Sequence, residues 1–235
     1  MKYTFDGRVR YSEIDHTGTM TIPSLINYFQ DCSTFQSEDL GVGLELLKEK
    51  HRAWLLNSWQ IEFVRMPKMG ERITVGTFAH EFKGLFGMRN FFLKDSAGEY
   101  LAYANSAWFY LDTENGRPCK PDQQEIALYG SEPKLKMEYK GRKIKLPKET
   151  ETAEPFAVRK YHIDTNDHVN NSQYVQMALE ILGDVPKIRE VRVEYKQAAV
   201  YGDIICPKIA REEDRMVVEL CSQEGAAYAV VELMA

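Results

Sequence analysis

No stretch of the 235 residues stays apolar for the 18 or so positions that a membrane-spanning helix needs, so a helical span is excluded. The opening Met1-Lys2-Tyr3-Thr4-Phe5-Asp6-Gly7-Arg8 lacks the hydrophobic core of a signal peptide. It also carries acid early, unlike a transit peptide, and the expectation is a cytoplasmic protein. Cysteine is scarce. Cys32, Cys119, Cys206 and Cys221 form no Cys-x-x-Cys pair and show no zinc-ligand spacing with a histidine, so they read as four reduced thiols. Positive charge is not in excess: 30 Lys+Arg against 35 Asp+Glu leave a net charge of −5, which argues against a nucleic-acid binder. Gly-x-Ser-x-Gly, His-Glu-x-x-His, a P-loop and Gly-x-Gly-x-x-Gly are all missing. No metal or cofactor is implied.

What is there is an ordinary globular composition, 44% hydrophobic and 11% aromatic, and an internal repeat. Val9-Arg10-Tyr11-Ser12-Glu13-Ile14-Asp15 reads like Val158-Arg159-Lys160-Tyr161-His162-Ile163-Asp164. Ile61-Glu62-Phe63 with Gly70 matches Val193-Glu194-Tyr195 with Gly202, and the turn at Gly98 matches the one at Gly225. In each copy a short strand is expected to end at the Ile-Asp pair, and a helix follows. Leu25, Ile26, Phe29 and Cys32 make one helical face after Pro23; Tyr174, Val175, Ala178, Ile181 and Leu182 make the other, between an Asn170 or Asn171 cap and Gly183. A strand with period-two alternation comes next at 58–63 in copy one, as at 191–195 in copy two, and further strands follow near 71–81, 85–94 and 99–111. Copy two has them near 191–195, 203–210, 215–221 and 226–234. A sheet wrapped around one buried helix satisfies each copy. The fold class is α+β, a tandem double hotdog with each half an antiparallel sheet around a long central helix. The expected division is 1–125, a basic linker at 126–154, and 155–235.

The two copies differ most between strand and helix. Copy two reads Asp164-Thr165-Asn166-Asp167-His168-Val169-Asn170-Asn171 where copy one has Asp15-His16-Thr17-Gly18-Thr19-Met20. Only the aspartate is kept. A histidine can take a proton near neutral pH, an aspartate and an asparagine can orient it or a water, and a helix start suits a developing oxyanion. That set describes a water-activating hydrolytic site in the second half, with no covalent nucleophile. The same residues also suit a polar turn that merely caps a helix.

Asp164-x-Asn166-x-His168-x-Asn170-Asn171 followed by Tyr174 resembles the signature of the acyl-acyl-carrier-protein thioesterases, the FatA/FatB-like enzymes. Tyr11 to Gly18 and Trp54 to Pro67 extend the resemblance over nearly the whole chain. It implies a tandem double hotdog that releases free fatty acid from acyl carrier protein (ACP), with Asp164, Asn166 and His168 in the catalytic positions and an acyl tunnel in the first half. One departure matters: where the plant members carry an acidic residue and a cysteine beyond the Glu194-Tyr195 strand, this chain has Ala198 and Ala199. The basic stretch from Lys134 to Lys148 reads as a solvated linker, or as a docking patch for an acidic carrier through Lys140, Arg142 and Lys143. An acyl-CoA thioesterase on the same fold and a non-catalytic acyl-binding module are the alternatives. A homodimer would be compatible with either.

Overall fold

The computed structural model describes residues 1–185 and 187–235. In chain order the elements are β1 (Tyr3–Arg8), α1 (Ile22–Asp39), α2 (Leu44–Glu49), β2 (Arg52–Phe63), β3 (Arg72–Lys83), β4 (Phe86–Asp95), β5 (Tyr100–Asp112), β6 (Arg117–Pro118) and α3 (Gln123–Tyr129). They continue as β7 (Glu151–Thr152), β8 (Phe156–Ala157), α4 (Asn171–Leu182), β9 (Glu190–Tyr195), β10 (Ile204–Arg211), β11 (Arg215–Cys221) and β12 (Ala227–Met234). The chain divides into two compact units. The first is Met1–Asn57 with Phe63–Tyr139; the second is Ser58–Glu62 with Lys140–Ala235.

In the first unit the antiparallel strand order is β1-β3-β4-β5-β2. Thr21 caps α1 by accepting the Ser24 N–H at 3.3 Å, and proline stands in the first turn, where its missing N–H costs nothing. Leu25, Ile26, Phe29 and Cys32, spaced for one helical face, are all fully buried. The Phe29 ring packs on Phe91 of β4 with centroids 5.3 Å apart. Residues 131–139 lie against this unit, where Leu135 N–H and the Tyr139 hydroxyl both donate to Asn90 Oδ1 (3.2 and 3.0 Å).

In the second unit Ser58–Glu62 pairs with β9, and the order runs on through β12, β11 and β10, with β7 and β8 both pairing with β10. Asn170 caps α4, which buries Tyr174, Val175, Ala178 and Leu182 and stops at Gly183 with φ 70°. The segment after residue 139 is tied down here. Lys140 Nζ bonds the buried Glu190 carboxylate, which also accepts from Gln60 Nε2 at 2.8 Å. Ile144 N–H donates to Glu194 Oε2 at 2.9 Å. Lys140 is therefore a structural ion pair rather than a free docking charge.

The strand expected to end at each Ile-Asp pair stops earlier, at Arg8 and at Ala157, and a single 3-10 turn follows it, Tyr11–Glu13 in one copy and Lys160–His162 in the other. The cause is local. Glu13 Oε2 accepts the Arg10 N–H at 2.7 Å and His162 Nδ1 accepts the Arg159 N–H at 3.0 Å, closing the chain three residues back. Ile14 and Ile163 then make only isolated bridges, to Met20 and Val169. Among the described residues no helix is long and apolar enough to cross a membrane.

Candidate active site

The turn from Asp164 to His168 is closed by its own backbone. Asp164 N–H donates to His168 O at 2.8 Å, and Asp167 N–H to Asp164 O at 3.2 Å. Asp164 Oδ1 accepts the Asn166 N–H at 2.8 Å. Asp167 sits at φ 60°, the left-handed region that Asp tolerates better than most residues. Val169 N–H then donates to Ala199 O (2.9 Å) and Asn170 N–H to His162 O (2.8 Å), which pins the turn to the loop beyond β9 and to the 3-10 turn before it. Asn170 Oδ1 accepts both the N–H and the hydroxyl of Ser172, at 2.9 Å each, and α4 begins.

Copy one repeats this turn bond for bond. Asp15 N–H donates to Thr19 O (2.9 Å), Gly18 N–H to Asp15 O (3.0 Å) and Thr17 N–H to Asp15 Oδ1 (2.8 Å), with Gly18 at φ 76° in the Asp167 place. The side chains differ. Thr17 Oγ1 donates to Asp15 Oδ1 at 2.6 Å, and this hydroxyl, with the Thr19 and Thr17 N–H groups, holds the Asp15 carboxyl below its ordinary pKa. In copy two the Asn166 and His168 side chains are exposed and make no hydrogen bond among the described residues, and Asp164 is half-buried with Oδ2 unbonded. The turn thus brings the three expected residues into one short loop. It does not join His168 to Asp164 by a side-chain hydrogen bond.

Neighbouring groups frame the loop. Tyr174 Oη accepts the buried Ala199 N–H at 2.9 Å, and Ala199 in turn holds Val169. Tyr195 donates its hydroxyl to Asn171 O at 2.9 Å. Ala198 is exposed and offers no carboxylate, and the Glu194 carboxylate accepts the Ile144 N–H through Oε2. The N–H groups of Val169, Asn170, Ser172 and Gln173 are all donated within the fold, so these four are not free for an oxyanion. His162, which sequence reasoning passed over, is the buried floor of the loop; burial and the Arg159 charge hold its pKa below the ordinary value. Its signal was the repeat itself, since it occupies the Glu13 place. Among the described residues no cluster of His, Cys, Asp and Glu could hold a metal.

Comparison with known proteins covers both units. The acyl-ACP thioesterase N-terminal domain family matches residues 1–129 and the acyl-ACP thioesterase C-terminal domain family matches residues 145–232. The Cuphea viscosissima acyl-[acyl-carrier-protein] hydrolase FATB3, chloroplastic, is 31% identical over 94% of this chain and 59% of its own length. The Arabidopsis thaliana oleoyl-acyl carrier protein thioesterase 1, chloroplastic, is 22% identical over 84% of this chain and 60% of its own. The chain thus spans about three fifths of the length of these relatives. The crystal structure of an acyl-ACP thioesterase from Bacteroides thetaiotaomicron superposes with a TM-score of 0.90 at 23% identity, covering 99% of this chain and 97% of that one, and shows the double-hotdog fold.

Proposed function

Because the chain belongs to the acyl-ACP thioesterase family, we propose that it hydrolyses the thioester of a fatty acyl-ACP to free fatty acid and ACP. The observation that carries the reading is the paired turn: one backbone, built twice around an aspartate, whose second copy alone presents an amide and an imidazole where the first has Thr17 and Thr19.

The chemistry needs little more. A thioester carbonyl is electrophilic and its thiol leaves with a pKa of about 8.5, so general-acid help is slight. His168 takes the proton of the attacking water. The negative charge of Asp164, whose N–H bonds the His168 carbonyl within the same turn, steadies the imidazolium as it forms. The Asn166 amide, its backbone fixed by Asp164 Oδ1, donates to the carbonyl oxygen or positions the water. The tetrahedral intermediate then expels the thiolate, which takes the proton back from the His168 imidazolium, and water's second proton stays with the acid. An oriented general base is worth roughly 10²–10⁴-fold. The first unit, with its buried α1, holds the acyl chain, and the division 1–125, 126–154 and 155–235 assigns acyl binding, linker and catalysis in turn. We place the carrier-docking surface of the linker at the exposed Arg142 and Lys143. We also propose a cytoplasmic location and a homodimer, to be read by cell fractionation and light scattering.

Exposed Ala198 is the observation that favours the second reading, an acyl-binding module without turnover. Thiol release from matched series of acyl-ACP and acyl-CoA esters separates the readings. Release from the carrier series supports the thioesterase. Equal or better release from the CoA series makes it an acyl-CoA hydrolase, and stoichiometric binding without release makes it a sensor.

A further inference from the structure

Two of the four thiols stand opposite one another in the second unit. β10 and β11 are antiparallel neighbours, and their register sets Cys206 directly across from Cys221. The ladder fixes the spacing. At the hairpin turn Glu212 and Arg215 exchange both main-chain bonds, so every second pair along the two strands is hydrogen-bonded, Cys206–Cys221 among them. The Cα atoms of such a pair stand about 5.5 Å apart. A disulfide spans about 4.4–6.8 Å between Cα atoms. Side chains of an opposed pair leave the same face of the sheet. The next pair on that face behaves so, because Lys208 Nζ reaches Glu219 Oε2 at 3.4 Å.

The surroundings of the two thiols differ. Along β10 Ile205, Pro207 and Ile209 are buried, while Cys206 and Lys208 on the other face are half-buried. Cys206 is thus within reach of a small solute. Cys221 is only 1% exposed. Burial, with a bond to the Glu219 carboxylate, pushes its thiol up to about 11. Lys208 bonds the same carboxylate and the Cys221 sulfur. Tyr228 donates its hydroxyl to Asp203 Oδ2 at 2.9 Å, which ties β12 to the start of β10 across the end of β11 where the pair lies. Both residues are free thiols in the structure.

We propose that Cys206 and Cys221 are a modification site, a dithiol that hydrogen peroxide closes to a disulfide and small thiols reopen. The exposed sulfur reacts first. The Cys206 thiolate attacks one peroxide oxygen; an S–O bond forms, the O–O bond breaks, and hydroxide leaves, taking the thiol's proton as water. Cys206 is then a sulfenic acid, oxidised by the two electrons that the peroxide has gained. The Cys221 sulfur attacks the Cys206 sulfur while its proton passes to the Glu219 carboxylate. The S–S bond forms, the S–O bond breaks, and hydroxide leaves as water with that proton. Two thiols and one peroxide give one disulfide and two waters.

The test treats the folded, fully reduced chain with hydrogen peroxide at neutral pH. Remaining thiols are blocked with N-ethylmaleimide in urea, and the tryptic peptides are mapped by mass spectrometry. The expected product joins residues 197–208 to residues 216–235 through Cys206 and Cys221. Both thiols should be lost together and both restored by dithiothreitol. Cys221→Ser should leave Cys206 as sulfenic and then sulfinic acid. Cys206→Ser should slow oxidation of Cys221 by at least about 10-fold, because the thiolate is the nucleophile. Cys221→Ala replaces Cys221→Ser should the latter fail to fold, and the same product is expected of it. The wild-type map decides the proposal without any variant. A wild type whose Cys206 reaches sulfinic acid while Cys221 is still blocked by the maleimide overturns it. So does a Cys206–Cys206 link between two chains, seen as a dimer on a non-reducing gel. Survival of both thiols at a peroxide dose that oxidises free cysteine overturns it as well.

Discussion

Replacing Tyr174 by phenylalanine removes one oxygen from the interior of the second unit and leaves the ring in place. That oxygen is the acceptor for the N–H of Ala199, a residue with no exposed surface, at 2.9 Å. The substitution leaves a buried donor unpaired, which costs roughly 1–3 kcal/mol. Tyr195→Phe is the matched control. Its hydroxyl donates to Asn171 O, a carbonyl in the first turn of α4 that still accepts its helical bond, so the loss is an ordinary one of about 0.5–1.5 kcal/mol. Both variants delete the same atom from the same ring type, and the two rings stand edge to face at 5.9 Å. Urea unfolding with equal slopes reads the difference as a shift in midpoint. In a thermal melt each kcal/mol is worth roughly 2–4 °C for a chain of this size. Tyr174→Phe should be the more destabilised by about 1 kcal/mol. It should also lose turnover, because Ala199 O is what holds Val169 and so the end of the catalytic loop. Equal costs, or a Tyr174→Phe variant as stable as the wild type, would refute the reasoning.

Three further outcomes are expected. Asp167 occupies the place of Gly18 at φ 60°, so Asp167→Gly should be neutral within about 0.5 kcal/mol, whereas Asp167→Val should cost about 1–2 kcal/mol in urea unfolding. Asp164→Asn keeps an oxygen for the Asn166 N–H but not the charge, so the melt should stay within about 0.5 kcal/mol while kcat falls by about 10²-fold. Unimpaired turnover there would reduce Asp164 to a turn-former. Burial holds the pKa values of His80 and His162 below the ordinary histidine value, desolvation being the largest cause in both. The unfolded chain then binds more protons below about pH 6.5, so stability should fall as pH drops through the folded values and be flat on this account above about 7. His162→Gln, whose carbonyl can take the Arg159 N–H, should lessen that slope in urea titrations at stepped pH.

Apolar periodicity revealed the two helices and most long strands, because burying one face of each is what the fold requires. Bounds of β4 and β5 fall within a residue or so of the strands read near 85–94 and 99–111. The 3-10 turns did not show, since they depend on Glu13 and His162 bonding back to the main chain, which alternation does not encode. Lys140 misled. Lys140 stood in a basic run and read as solvated, but its partner Glu190 is 50 residues away. Arg89 carries a charge that argues for the surface, yet Gln36, 53 residues earlier, draws it inside. The proposed catalytic trio stood out because the repeat supplied its own comparison: Asp15, Thr17 and Thr19 show the same turn without the amide and imidazole.

That internal control offers the most direct test. His168→Thr installs in the second turn the residue that the first turn carries at Thr19, in a backbone already shown to accommodate it. Thiol release from acyl-ACP should drop by about 10²-fold or more in His168→Thr with the unfolding midpoint unchanged, and Thr19→Ala should leave release intact. Full release by His168→Thr would contradict the account of one active turn in the second unit.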